Sequence, residues 1–126
     1  MIGYVMIGSN DIKKSRRFYD PLMKFLGAAP KATASDERVA YVPAGGSPVL
    51  ALTRPYNGEP ASAGNGTMIA LPVASRSLVE EAYALVLSLG AVDDGAPGVR
   101  SDGVNSFYSC YFRDTVGNKL CICHFG

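Results

Sequence analysis

Gly3–Ala28 reads GYVMIGSNDIKKSRRFYDPLMKFLGA, and Gly66–Ala91 reads GTMIALPVASRSLVEEAYALVLSLGA. Both stretches open with glycine, run through apolar residues, reach small polar ones, continue with helical periodicity and close on Leu-Gly-Ala. The second copy begins 63 residues after the first, at half the length of the 126-residue chain. Two copies at so long a period do not make a solenoid; they point to a duplicated module of about 60 residues.

Each copy reads as a strand followed by a helix. In the first, Tyr4-Val5-Met6-Ile7 is rich in β-formers, and Ser9-Asn10-Asp11 offers side-chain oxygens to cap the free N–H groups of a helix. Over Asp11–Leu26 the residues Ile12, Phe18, Leu22, Phe25 and Leu26 fall near one face, and Gly27 can end the helix in a left-handed conformation. Pro21 lies inside this pattern and lacks an N–H, which predicts a kink or a break. In the second copy Ser77 and Glu80 form an S-x-x-E capping box, Leu78, Ala82, Leu85, Val86 and Leu89 make the apolar stripe, and Gly90 ends it.

Working outward, Arg38–Val42 and Pro48–Thr53 read as strands after the first helix, split by the turn-forming Pro43-Ala44-Gly45-Gly46-Ser47. Ser106–Phe112 and Lys119–Phe125 follow the second helix, split by Arg113-Asp114-Thr115-Val116-Gly117-Asn118, where Asp114 is placed to satisfy the turn's backbone donors. Arg54–Asn65 and Val92–Asn105 hold Gly and Pro without hydrophobic period, and read as long loops, either functional or plain connectors. Each half is thus β-α-β-β with room for one more short strand.

Composition bounds the rest. At 13.3 kDa, 48% hydrophobic and 18% charged, the chain predicts one folded domain. A net charge of +1 argues against a phosphate-backbone binder, so no nucleic-acid partner is expected. No apolar run reaches the roughly 20 residues of a membrane span, and Met1–Met6 lacks the basic region and cleavage site of a signal peptide. Three cysteines without framework spacing suggest a reducing compartment, hence a cytoplasmic protein. The glycines at 64–66 and 95–98 do not follow a strand as G-x-G-x-x-G, so no dinucleotide fingerprint is present.

Three segments carry a family likeness: Tyr4–Asp11 with Phe18-Tyr19 behind it, Met68–Val73, and Phe112-Arg113-Asp114-Thr115-Val116-Gly117-Asn118-Lys119-Leu120. Together with the duplication they resemble the vicinal-oxygen-chelate superfamily of glyoxalase I, the extradiol dioxygenases, and the fosfomycin and bleomycin resistance proteins. The last segment resembles the family's D-P-x-G-N turn, with Thr115 in place of proline. The resemblance implies an α+β fold of duplicated βαβββ modules, about 1–56 and 65–126, whose curved mixed sheets form a concave cup with helices on the convex side. It also implies a divalent metal in that cup, held by His and Glu, acting as a Lewis acid on a substrate with adjacent oxygens.

The family's ligand positions fall here on unsuitable residues. The first-strand His position falls on Tyr4, the first-half carboxylate on Ala51, the second-half His on Met68 (Thr67 on an ungapped repeat) and the last-strand Glu on Cys121. Alanine has no donor atom and methionine is a soft ligand, so the metal site is expected to be absent and no cofactor is expected. Cys121-Ile122-Cys123-His124 is a rival metal or nucleophile site. Strand alternation, however, puts both thiols on one face and the lone histidine on the other, which favours buried cysteines acting as small hydrophobes.

What remains on the faces that carry family ligands is Tyr4, Met6, Ala51, Thr53, Met68, Ala70, Cys121 and Cys123. Such a lining suits an apolar or aromatic small molecule held by a few polar groups; the alternative is that the faces pack together with no cavity. Tyr4 reads either as a pocket hydroxyl or as a core aromatic. Arg54 could hold a ligand carboxylate or phosphate through its planar fork, or simply be solvated. Lys13, Lys14, Arg16 and Arg17 read as the solvent side of the first helix. The expected function is therefore metal-free binding of a small organic molecule by Tyr4, Met6, Ala51, Thr53, Arg54, Met68, Cys121 and Cys123, in a chain that forms a homodimer. No catalytic residue stands out. The alternative is a divalent-metal-dependent, glyoxalase I-like lyase or dioxygenase-related enzyme with other ligands.

Overall fold

Tyr4–Gly8 forms strand β1 at the edge of a four-stranded sheet, beside a strand more than 40 residues further along the chain. The computed structural model describes all residues except Ala32, Ala34, Asp102, Gly103 and Asn105. Two compact units divide the chain, Met1–Ala63 and Gly64–Gly126.

In the first unit, α1 (Ile12–Phe25), β2 (Ala28–Lys31), β3 (Arg38–Pro43) and β4 (Val49–Thr53) follow β1. The sheet order is β1-β4-β3-β2. The three later strands form an antiparallel meander, and β4 then returns parallel to β1, pairing Tyr4 with Val49 and Met6 with Ala51. A parallel pair needs a crossover, and α1 supplies it. The face beneath α1 buries Ile7, Val39, Tyr41, Leu50 and Leu52 against Phe18, Tyr19, Leu22 and Met23.

The second unit repeats this with β5 (Met68–Pro72), α2 (Arg76–Ser88), β6 (Val92–Ser101), β7 (Phe107–Arg113) and β8 (Lys119–Phe125), in the order β5-β8-β7-β6. Its covered face buries Cys110, Phe112, Leu120 and Ile122 together with Val79, Ala82 and Val86 of α2. Each unit is βαβββ with one helix on one face of a mixed sheet, so the α+β duplication read from the repeat is the observed architecture. The ladders also settle the register. Tyr4 opens β1 opposite Val49 as Met68 opens β5 opposite Lys119, so Met68 rather than Thr67 matches Tyr4.

Local signals behave as expected in part. Asp11 caps α1, accepting from the Lys14 N–H at 3.1 Å, and Gly27 and Gly90 follow the helices with positive φ. Pro21 does not break α1, which runs unbroken from Ile12 to Phe25. A mid-helix proline costs about 3 kcal/mol, and the burial of Phe18, Tyr19, Leu22 and Met23 around it offsets that. The buried stripe is thus broader than Ile12, Phe18, Leu22, Phe25 and Leu26; it takes in Tyr19, Met23 and Ser15, while Ile12, Phe25 and Leu26 stay half-buried.

In α2 the cap is Ser75, whose hydroxyl accepts from the Leu78 N–H at 3.2 Å. Ser77 and Glu80 therefore form no capping box: Ser77 already lies inside the helix, and Glu80 accepts a hydrogen bond from the Tyr108 hydroxyl at 2.7 Å. Val79, not Leu78, is fully buried beside Ala82 and Val86. Most of the expected Val92–Asn105 loop is the edge strand β6. Its Gly95, Pro97 and Gly98 erase the alternating pattern, and its pairing with β7 shifts register at three places, which an edge strand tolerates. Asp102, Gly103 and Asn105 of that loop lie outside the described residues.

Between β7 and β8, Asp114 is buried and draws the turn around its carboxylate. Its Oδ1 accepts from the N–H groups of Val116, Gly117 and Asn118, each at 2.9 Å, and its Oδ2 accepts from the Asn118 amide at 3.0 Å. Gly117 sits at φ 103°, a conformation that side chains resist.

Candidate functional site

The face of the first sheet opposite α1 is left uncovered by the helix. Strand alternation and the ladder register put Tyr4, Met6, Ala51, Thr53, Ala40 and Arg38 on this open face. Ala51 is buried between Met6 and Ala40, its neighbours across the ladder, whereas Met6 is 44% exposed. Tyr4 is 64% exposed, which excludes the core-aromatic reading.

A cavity of about 460 Å³ opens here, lined by Met6, Thr33, Ser35, Glu37, Arg38, Thr53, Arg54, Pro55 and Tyr56. That volume lies within the range of small-molecule sites. Of the residues expected to bind ligand, Met6, Thr53 and Arg54 line this cavity together; Tyr4 and Ala51 share its sheet face but are not part of the lining.

Arg54 is held in place. Its Nε lies 3.6 Å from Glu37 Oε1, its Nη1 donates to the Asn10 carbonyl at 3.4 Å, and its backbone N–H donates to the Glu37 carbonyl at 3.1 Å. Asn10 also fastens the Arg54–Asn65 loop, its Oδ1 accepting from the Ala61 N–H at 2.6 Å. Gly8 permits this approach, since a Cβ there would sit 2.9 Å from the Ala61 Cβ. Arg38 escaped the sequence reading. It stands opposite Thr53 in the β3–β4 ladder, and among the described residues nothing pairs with its guanidinium. Only its place opposite Thr53, known once the strands are paired, marks it as a cavity residue.

In the second unit Met68, Cys121 and Cys123 share the face away from α2, as alternation predicts. Met68 is 41% exposed, while Cys121 and Cys123 are buried. His124 lies off that face, its Nδ1 3.0 Å from the Val73 carbonyl, so no Cys–His pair forms. Opposite the thiols on β7 stand Ser109 and Tyr111, also missed from sequence; the Ser109 hydroxyl donates to the Tyr111 oxygen at 3.0 Å. The Tyr111 ring is flanked by the Arg100 guanidinium at 5.2 Å and the Lys119 ammonium at 5.4 Å.

All three cysteines are free and buried. Burial pushes the Cys110 thiol up to about 11, and pushes Cys121, with Cys123 and Cys110 nearby, up to about 12. Such thiols are poor nucleophiles near neutrality. The folded chain therefore holds these protons more tightly than the unfolded chain, whose thiols titrate near 9.0. The stability this contributes is complete below about pH 8.5 and is lost as pH rises through 9 toward 11–12. Two measurements check this: urea unfolding free energy should fall between pH 9 and 11, and iodoacetamide at pH 8 should label the cysteines only after unfolding. Native Cys121 alkylated at the rate of a free thiol would contradict the assignment.

The divalent metal implied by the family likeness finds no fit in these residues. Tyr4 offers an exposed phenol, Ala51 no donor, Met68 a thioether, and Cys121 a buried thiol that keeps its proton. Among the described residues no three His, Cys, Asp or Glu side chains gather as a metal site.

Comparison with known proteins agrees with the fold. The profile of the Glyoxalase/Bleomycin resistance protein/Dioxygenase superfamily matches residues 1–122. A glyoxalase/bleomycin resistance protein from Albidiferax ferrireducens T118 has 35% sequence identity and a TM-score of 0.86, over 98% of both chains. A glyoxalase/bleomycin resistance protein/dioxygenase family enzyme from Burkholderia phytofirmans PsJN shares the fold at 16% identity and a TM-score of 0.74, again over 98% of both chains. A further likeness, from Alicyclobacillus acidocaldarius, has 14% identity and a TM-score of 0.68, over 99% of this chain and 91% of the other. Comparison with curated proteins gave no match.

Proposed function

The chain belongs to the glyoxalase/bleomycin resistance protein/dioxygenase superfamily, and we propose that it is a metal-free member that binds a small organic molecule. The cavity of the first unit is the binding site, with Met6, Thr53 and Arg54 as contact residues. The observation that carries this reading is the pairing of a cavity of about 460 Å³ with family ligand positions that hold no histidine or carboxylate. Met6 supplies an adaptable apolar surface, and the hydroxyl and guanidinium groups orient what enters. No bond-making step is assigned to the site.

The protein acts as a homodimer in the cytoplasm. Exposed Tyr4, Met68, Val92 and Phe125 offer apolar surface for a second copy, and the three unpaired cysteines suit a reducing compartment. For the described residues, no helix is long and apolar enough to cross a membrane.

Native mass spectrometry with a small-molecule library, followed by thermal shift, tests ligand and assembly together. The expected result is a species of two chains that retains a small organic molecule, with retention lost in Thr53→Trp, which fills the cavity. Stoichiometric Ni or Zn in the purified protein, with isomerisation of a hemithioacetal, would replace this reading with a metal-dependent lyase. A single-chain species at micromolar concentration would remove the dimer.

A further inference from the structure

We propose that the ligand of the first-unit cavity is an organic monoanion, a carboxylate on an apolar body, and that Arg38 binds its charge. This rests on the small-molecule reading above and narrows it to a chemical class.

The cavity's ionic groups are Arg38, Arg54 and Glu37. Arg54 is already engaged: Glu37 lies 3.6 Å from its Nε, and the Asn10 carbonyl accepts from its Nη1 at 3.4 Å. Glu37 therefore offsets Arg54, and Arg38 is the surplus charge. Among the described residues no hydrogen bond or ion pair reaches the Arg38 guanidinium. Arg38 also borders a neighbouring depression with Lys13, Lys31, Asp36 and the Asp20-paired Arg16; none of these lines the first cavity, and Asp36 forms no ion pair with Arg38. The register places Arg38 opposite Thr53, on the face that also presents Met6.

A planar guanidinium with free donors matches a carboxylate through two parallel N–H···O bonds. One unmatched positive charge is neutralised by one negative charge. A dianion would leave an excess on the lining, a cation would be repelled, and a neutral ligand would forgo the fork. Met6 and the Pro55-Tyr56 segment meet the apolar remainder. The 460 Å³ volume admits a ring or short chain bearing the carboxylate.

NMR titration of the full chain with benzoate, its neutral isostere benzamide, and phenyl phosphate tests this on the wild type and on Arg38→Gln. Arg38 is exposed and unpaired among the described residues, so the variant should keep the wild-type fold, read from its spectrum. Benzoate is expected to bind at least tenfold tighter than benzamide and no weaker than phenyl phosphate. Arg38→Gln is expected to weaken benzoate about tenfold and leave benzamide unchanged. Arg38→Lys, which keeps the charge without the fork, should recover only part of the loss. Equal binding of benzoate and benzamide at the Met6 and Thr53 resonances, or a benzoate preference that survives in Arg38→Gln, would overturn the anion assignment while leaving the cavity as a binding site. Tighter binding of phenyl phosphate would overturn the monoanion class. No shift with any of the three probes would remove the binding reading itself.

Discussion

Asp114→Ala is expected to lower the unfolding free energy by about 3–4 kcal/mol. The carboxylate is buried and accepts from the backbone N–H groups of Val116, Gly117 and Asn118 and from the Asn118 side chain. An alanine there takes the acceptor from the half-buried Val116 and Asn118 N–H groups and the Asn118 amide, while the Gly117 N–H keeps the Asp114 carbonyl at 3.1 Å, and donors that lose their partners in a partly dry turn are costly. The turn also sets the register between β7 and β8, where Arg113 stands opposite Lys119. Asp114→Asn should cost roughly half as much, because one amide oxygen still accepts from the backbone while its NH₂ faces the Asn118 amide donor. Urea unfolding of the three proteins measures the series. An alanine variant within about 1 kcal/mol of wild type would show that the turn is held by its glycine and not by the carboxylate.

The second large effect separates the two faces of one sheet. Leu52→Ala should cost about 3 kcal/mol, since Leu52 has no exposed surface and lies on the face buried under α1. Met6→Ala, on the open face and 44% exposed, should change stability by less than about 1 kcal/mol. The same substitution should weaken any cavity ligand, because Met6 lines the site. Chemical unfolding gives the first contrast and ligand titration the second. Similar losses of stability at both positions would mean that the open face is structural rather than a binding surface.

Much of the architecture was legible because its signals are local. The apolar run of Lys119–Phe125 after its turn, the helical spacing of Phe18 and Leu22, the capping oxygen of Asp11 and the closing Gly27 and Gly90 each report their own few residues, and the duplication made each half check the other. That Tyr4, Ala51, Met68 and Cys121 include no histidine or carboxylate is equally a matter of residue identity. Local signals misled where tertiary packing outweighed them. Pro21 stays helical because its neighbours are buried, Ser75 caps α2 ahead of the tempting Ser77, and Glu80 turns to Tyr108, a partner 28 residues away.

The amino-acid order by itself determined which side chains within one strand share a face and that the two halves share one plan, because side-chain alternation and helical period depend only on near neighbours. Only the tertiary structure decided that β6 joins an edge, that Tyr111 and Ser109 stand opposite the thiols, and that Arg54 is tied to Glu37 while the Arg38 guanidinium has no partner among the described residues. Those outcomes depend on pairings between segments distant in the chain. A charged side chain carries its charge in the sequence, but whether that charge is already neutralised depends on what the fold brings beside it.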